Sequence, residues 1–280
     1  MRLTVLVDDS ANPKRPKLIA KHGLSFFIEL KVGKETTRLL MDTGPNLDVI
    51  LHNAQMLNID LQKIDLIVLS HGHYDHTGGL LGVLKCTGKR TPVIAHPESF
   101  GAKFVAKKRF RYAGIPFLPS ELEGAGGIPI LSQKPFAILP GIFVSGEIKR
   151  ITEFKNVEGF KAIKRHELVD DYMPDDQALF VMVKSRGLVV ITGCAHAGLI
   201  DTIKQAQRVT GSRNVYAIAG GFHLASASAK RVKATVDELR KVGIKALMPC
   251  HCTGKTAIKK FSETFGGKCR QVRTGDVVKF

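Results

Sequence analysis

Apolar and polar positions along this chain follow two rhythms in turn. Near the N-terminus LTVLV, LSFFIEL and TRLLMDTG are short β-branched and apolar runs bounded by turn residues, which predicts successive strands. LDVILHNAQMLNI changes to a helical period, with Val49, Ile50, Met56 and Leu57 roughly on one side. IDLIVLS is continuously apolar, the pattern of a strand buried on both faces, and HTGGLLGVLK opens a helix directly after it. PVIAHP reads as one more short strand. The rhythm then weakens. KFVAKKRFRYAGIPF is basic with interleaved aromatics and LEGAGGIP is loop-like, so residues 98–127 read as an insertion or lid. ILPGIFVSGEI restores a strand pattern, and KRITEFKNVEGFKAIKRHELVDDYMPDD is a second irregular, charged stretch.

The C-terminal half is more regular. QALFVMVK, GLVVITG, VYAIAGG, ALMPCH and DVVKF predict strands, while LIDTIKQAQRVTG, AKRVKATVDELRKVG and TGKTAIKKFSETFG predict helices. Gly211 and Gly243 stand where helix-ending glycines belong, and Val232, Val236 and Leu239 form one apolar stripe. No linker or low-complexity tract separates the halves, which share a strand–helix rhythm without a sequence repeat. The expectation is a single domain over 1–280, of the α/β (α+β) class, with its loops gathered at one edge.

Composition narrows the picture only a little. Apolar residues make up 44% and charged residues 24%, the balance of a globular protein able to bury a core at this length. No run approaches the ~18 apolar residues of a membrane span, and the start lacks a secretory signal, so a cytoplasmic location is expected. Five cysteines, an odd number, make no disulfide framework. Cys86 and Cys269 read as incidental thiols, whereas Cys250 and Cys252 flank His251 and Cys194 lies two residues before His196. The net charge of +17 fits either plain solubility or an anionic partner, nucleic acid or a phosphorylated metabolite.

The segment Ser70-His-Gly-His-Tyr-Asp-His-Thr-Gly-Gly79 carries the chemistry. It leaves a buried strand and enters a helix, so its side chains stand at the mouth of the fold. His71 and His73 alternate in an extended turn, with Asp75 and His76 at the helix entry. Such a loop holds more donors than one tetrahedral ion takes from so short a segment. Two metal ions ~3.5–4 Å apart would use them all. A polar loop with chance histidines is the plain alternative, and the clustering of three histidines with an aspartate argues against it.

HGHYDHTGG resembles the HxHxDH signature of the metallo-β-lactamase superfamily, and the likeness extends along the chain. LLMDTGP, with Asp42, looks like the family's structural turn, ITGCAH like its fourth motif and LMPCHCTG like its last. The resemblance implies a four-layer αββα sandwich and a dinuclear centre holding two divalent metal ions, zinc first, with iron or manganese as alternatives. By position, His71 and His73 would hold the first ion, with His196 completing it; Asp75, His76 and His251 would hold the second. Two positions depart from the pattern. SGEI offers Glu147 where a histidine is usual, and Cys194 stands where a bridging aspartate is usual. His196 is favoured over Cys194 as ligand, with a thiolate bridge the alternative.

The catalytic residues implied are Asp75, to hold or deprotonate a water, and His223 in GGFHL, to meet substrate or leaving group. His22, His52, His96 and His166 read as structural or surface residues. SGEI, TGCAHAG, AGGFHL and PCHCTG together are similar to the branch that includes the archaeal pterin-condensing synthase of methanopterin synthesis. That branch implies a phosphorylated small-molecule substrate and release of pyrophosphate. Lys103, Lys107, Lys108, Arg109 and Arg111, clustered beside Phe104, Phe110 and Tyr112, suit a grip on phosphate and a flat ring, with a plain solvated helix face as the alternative. Lys161, Lys164 and Arg165 offer a second basic stretch. A phosphodiesterase or nuclease on the same fold is the second reading, since basic and aromatic residues also suit single-stranded nucleic acid. A non-catalytic, metal-stabilised binding protein is the third.

Overall fold

The computed structural model describes residues 1–152 and 158–280, so residues 153–157 of the second charged stretch lie outside the described residues. Its contacts divide the chain into two compact units. The first comprises Met1–Gln133, Glu158–Asp175 and Arg273–Phe280; the second comprises Lys134–Val157 and Asp176–Val272.

In the first unit the apolar runs assemble a seven-stranded sheet among the described residues. Its order is Val277–Lys279, Arg2–Val7, Ser25–Val32, Glu35–Met41, Leu66–Val68, Thr91–Ala95 and Gly127–Leu131. The first three pairings are antiparallel and the last three parallel. Parallel strands need crossovers, and the helices Leu47–Met56 and Leu80–Thr87 supply them. Leu6, Phe27, Leu40, Ile67 and Val93 from the strands share one core with Val49, Ile50, Leu80 and Val83 from those helices. The carboxamide of Asn46 caps the first helix by accepting from the Val49 N–H. Met56 departs from the expected stripe: it is 42% exposed, because the helix ends there and its last turn leaves the core.

Residues 98–127 are more ordered than the weak periodicity suggests. Lys103–Ala106 and Phe110–Tyr112 pair as a hairpin, Pro119–Gly124 is a short helix, and the following strand joins the edge of the large sheet. The described part of the second irregular stretch forms another hairpin, Phe160–Lys164 with Glu167–Asp170. The two hairpins zip together through Phe160–Lys164 and Lys103–Ala106 into a four-stranded antiparallel sheet. Its long-range pairing is invisible to a local period.

The second unit repeats the plan. Ala246–Cys250, Val215–Gly221, Gly187–Thr192, Ala178–Val183, Ile142–Val144 and Phe136–Leu139 form a six-stranded sheet in that order. Here the first two pairings are parallel and the rest antiparallel. Leu199–Thr210, Ala229–Val242 and Lys255–Phe265 contribute Ile203, Val232, Val236, Leu239 and Phe261 to a core shared with Phe180, Val190, Ile218 and Leu247. Gly211 and Gly243 end their helices in the left-handed conformation, as their positions predict. No helix among the described residues is long and apolar enough to cross a membrane.

Candidate metal centre

In the first unit, the strand Leu66–Val68 delivers Ser70 and His71 to the end of the sheet. A one-turn helix, Tyr74–Thr77, then carries Asp75 and His76. His71 and His76 are fully buried, and His73 and Asp75 nearly so. Gly72 lets the turn close: a Cβ there would lie 2.0 Å from the Ser99 carbonyl oxygen.

A buried network sets the orientation of the imidazoles. Asp42 accepts from Ser70 N–H and from Ser70 Oγ, both at 2.7 Å, and from His76 Nδ1 at 2.7 Å. Once Ser70 Oγ gives its one proton to Asp42, it can only accept from His71 Nδ1, 2.9 Å away. Both rings therefore carry their proton on Nδ1, and each presents a bare Nε2, the form that binds metal. Asp42 itself sits at φ 61°, a left-handed conformation that a non-glycine residue holds only when its surroundings over-determine it. The expected structural turn is thus also what orients the histidines, and Ser70, which the spacing did not single out, joins it.

His71 Nε2 lies 3.0 Å from His73 Nδ1, and the His71 and His76 ring centroids are 4.2 Å apart. Zinc–nitrogen bonds of about 2.0–2.1 Å in a tetrahedron ask for ligand nitrogens roughly 3.3 Å apart, so this pair suits one ion. Burial pushes the His73 imidazole down to about 3, against the pull of Asp75 and with help from Lys103 and His76. A neutral, buried imidazole is a ready ligand. Three imidazoles and one carboxylate, oriented in this way, fit a borderline divalent cation. His22, expected to be structural or surface, is exposed and stands 3.3 Å from Asp75 Oδ2 and 3.1 Å from Asp9 Oδ2. Only the fold reveals that neighbour.

The loop is also anchored from behind. Asp175 Oδ2 accepts from Gly72 N–H at 2.8 Å, while Lys103 Nζ donates to Asp175 Oδ1 at 2.8 Å and to Asp171 Oδ2 at 2.9 Å. Lys103 is only 2% exposed, so it anchors the loop and, unlike the expectation from its charge, is not among the residues available to grip phosphate. Burial alone would lower its ammonium pKa, but Asp175 and Asp171 outweigh that and leave it raised.

Lys107, Lys108, Arg109 and Arg111 stay exposed or nearly so on the four-stranded sheet. Phe104 stacks on Phe110 at 5.0 Å and meets Tyr112 edge-on at 5.5 Å. The sheet adjoins the loop: Phe160 is 5.1 Å from His73, Arg111 lies 5.8 Å over Tyr74, and Tyr74 N–H donates to the Ala113 carbonyl. Lys161 and Lys164 pair with Asp170 and Glu98 at 2.8 and 3.5 Å.

In the second unit the donors come from three neighbouring parallel strands. The chain beyond Gly187–Thr192 gives Cys194 and His196, that beyond Val215–Gly221 gives His223, and that beyond Ala246–Cys250 gives His251 and Cys252. Groups at such strand ends converge whatever their separation in sequence. The His196 and His223 rings are 4.3 Å apart. Cys194, His223 and Cys252 bring donor atoms within 4.8 Å of one another. Burial would raise the Cys252 thiol, but its hydrogen bond with Cys194 and the neighbouring His251 and His223 hold it well below the usual cysteine range. Asp176 Oδ2 accepts from Ala197 N–H at 2.8 Å, steadying the Cys194–His196 turn. Glu147 is exposed on its loop.

Comparisons with known proteins agree with this picture. Residues 19–196 match the model of the metallo-beta-lactamase superfamily. The chain is 36% identical to the 7,8-dihydropterin-6-methyl-4-(beta-D-ribofuranosyl)-aminobenzene-5'-phosphate synthase of Methanocaldococcus jannaschii, over 100% of this chain and 97% of that protein. It is 33% identical to an uncharacterized protein of the same organism, over 93% of this chain and 94% of the relative. The crystal structure of Tm1679, described as a metal-dependent hydrolase of the beta-lactamase superfamily, superposes with a TM-score of 0.84 at 29% identity. That match covers 100% of this chain and 99% of the other. Sequence, mixed α/β architecture and a buried histidine loop thus converge, and the chain belongs to the metallo-β-lactamase superfamily.

Proposed function

We propose that this chain is a metal-dependent enzyme acting in the cytoplasm on a phosphorylated small molecule, and that it catalyses the pterin condensation for which its Methanocaldococcus relative is named. An arylamine acceptor would attack the methylene carbon of a dihydropterin-methyl pyrophosphate. The new bond forms at that carbon as its bond to the pyrophosphate oxygen breaks, and the amine loses a proton. The observation that carries this reading is the basic, aromatic four-stranded sheet set against the histidine loop, with Phe160 at His73 and Arg111 over Tyr74. Stacking faces and cations beside a ligand cluster suit a flat ring bearing phosphates. The full-length identity of 36% with the synthase points the same way.

We assign His71, His73, Asp75, His76, His196 and His251 as ligands of two divalent ions, zinc by preference and iron or manganese as alternatives. The assignment of the last two follows the order of the family's motifs along the chain. Bound there, the ions would supply Lewis-acid stabilisation of charge developing on the leaving pyrophosphate. The chain's own groups do the rest. Asp42 and Ser70 hold His71 and His76 in the metal-binding tautomer. We assign Asp75, beside His22, as the carboxylate that accepts a proton, and His223 as the residue that meets the leaving group. The family match crosses from one unit into the other, which supports 1–280 acting as one domain.

The +17 charge favours a second reading, a phosphodiesterase or nuclease on the same fold. The third, a non-catalytic metal-stabilised protein, requires Asp75→Ala to lower stability with no reaction lost. To decide, metal-reconstituted protein is given the dihydropterin-methyl pyrophosphate with and without aminobenzene ribofuranoside phosphate, and pyrophosphate release is measured alongside turnover of a chromogenic phosphodiester. Acceptor-dependent release, abolished in His71→Ala, is the expected result. Diesterase turnover with no acceptor dependence overturns the condensation.

A further inference from the structure

The second unit holds a donor set in which Cys252 and His223 lie outside the family's ligand pattern, while Cys194 stands at its bridging-aspartate position. Cys194 and Cys252 lie far apart in sequence, yet they and His223 bring one donor atom each within 4.8 Å of one another. The cause is topological: three adjacent parallel strands end side by side, and each hands one residue to the same spot.

The backbone is shaped around this cluster. Gly221 has no room for a side chain, since a Cβ would lie 2.7 Å from Cys252 Sγ and 2.5 Å from the Gly193 carbonyl oxygen. Cys252 Sγ accepts the His223 backbone N–H at 3.3 Å, which fixes the sulfur beside the imidazole. Ala195, His223 and His251, each next to one of the three donors or one itself, hold φ of 53°, 45° and 48°. Left-handed conformations at non-glycine residues persist only where the surroundings enforce them, and they gather at functional sites. Here they turn sulfur and nitrogen inward together.

We propose that Cys194, Cys252 and His223 form a site for a thiophilic divalent cation beyond the six ligands assigned above, with two thiolates and one imidazole as protein ligands. Two sulfurs and a nitrogen are a donor set for zinc and its softer relatives, unlike the oxygen and nitrogen set of the histidine loop. Three protein ligands leave the fourth tetrahedral position for solvent or a small ligand, and the half-buried Cys252 and His223 keep it reachable. On binding, each thiol gives its proton to solvent.

The test uses reduced, chelator-stripped full-length protein titrated with cobalt(II) alone. A thiolate-to-cobalt charge-transfer band should appear, vanish in Cys194→Ser and in Cys252→Ser, weaken in His223→Ala and persist in His73→Ala. Cadmium affinity should fall in Cys252→Ser by more than the roughly 100-fold that a merely supporting residue commands. Near-ultraviolet circular dichroism confirms that each variant is folded. A band retained in Cys252→Ser, or lost in His73→Ala, overturns the proposal by giving Cys194 to the ion of the histidine loop. A folded wild type with no band, or with two thiols lost to a Cys194–Cys252 disulfide under these reducing conditions, also overturns it.

Discussion

The two units present candidate metal-binding side chains by opposite routes. In the first, one strand and one short helix carry His71, His73, Asp75 and His76 in a single loop, so sequence proximity does the gathering. In the second, Cys194, His196, His223, His251 and Cys252 arrive from three strand ends, and sheet topology does it. A contiguous loop needs internal bracing, because nothing else keeps adjacent imidazoles from turning away; Asp42, Ser70, Asp175 and Lys103 provide it. Strand ends are held by the sheet itself, and the left-handed backbone that Asp42 shows behind the loop recurs here at the donors or beside them, at Ala195, His223 and His251.

The largest effect should come from removing one donor of each kind. His71→Ala and His196→Ala should each lower turnover by about 10³-fold or more, the equivalent of several kcal/mol of lost charge stabilisation, while circular dichroism stays native. If His196→Ala keeps turnover within about tenfold of wild type while His71→Ala does not, the strand-end donors lie outside the chemistry.

That contrast also explains what could be read beforehand. HGHYDHTGG declares itself because its donors are neighbours in sequence, and the strand and helix flanking it follow from simple periods. Gly211 and Gly243 were legible for the same local reason. The partnership of Cys194 with Cys252 was not, since only the parallel register of three strands brings them together. Nor was the four-stranded sheet, whose two hairpins are separated in chain order by three strands of the other two sheets. Lys103 was misread because its charge suggested solvent or phosphate, while Asp171 and Asp175, distant in sequence, claim it.

The anchors behind the two turns offer the next test. Lys103→Met leaves two buried carboxylates without their cation and should destabilise the protein by about 3–5 kcal/mol in chemical denaturation. Asp176→Asn weakens a charged hydrogen bond to Ala197 and should remove about 1.5–3 kcal/mol. The Lys103 pKa is raised in the fold above its ordinary 10.5. Its stabilisation is therefore complete below 10.5 and lost as pH climbs through the folded value. Wild type should lose stability along that alkaline limb, and Lys103→Met should lack the loss attributable to it. Equal destabilisation by the two substitutions would erase the distinction between a braced loop and a sheet-held turn.

Asp42→Asn probes the bracing more gently. The amide keeps the shape but can no longer accept from Ser70 and His76 as an anion, so His76 is freed to take the other tautomer. Metal affinity measured by competition with a chelator should drop about 10- to 100-fold. Unchanged affinity would mean that ligand orientation comes from packing alone.

The smallest effect concerns the basic sheet, which the first unit sets beside its loop. Lys107, Lys108 and Arg109 are solvated, so neutralising all three to glutamine should leave kcat and stability nearly untouched. Their work would be long-range attraction and the grip on phosphate. For a small phosphorylated substrate KM should rise roughly three- to tenfold and the change should fade as salt screens the site. For a nucleic-acid substrate the plot of log affinity against log salt should instead lose about 0.7–0.9 of slope per phosphate contact removed, or about two to three in the triple variant. A steep slope in the wild type, shallower by that amount in the variant, would move the enzyme to the phosphodiesterase reading. A shallow slope in both, with KM alone displaced, assigns the sheet to a metabolite and joins its chemistry to that of the histidine loop it adjoins.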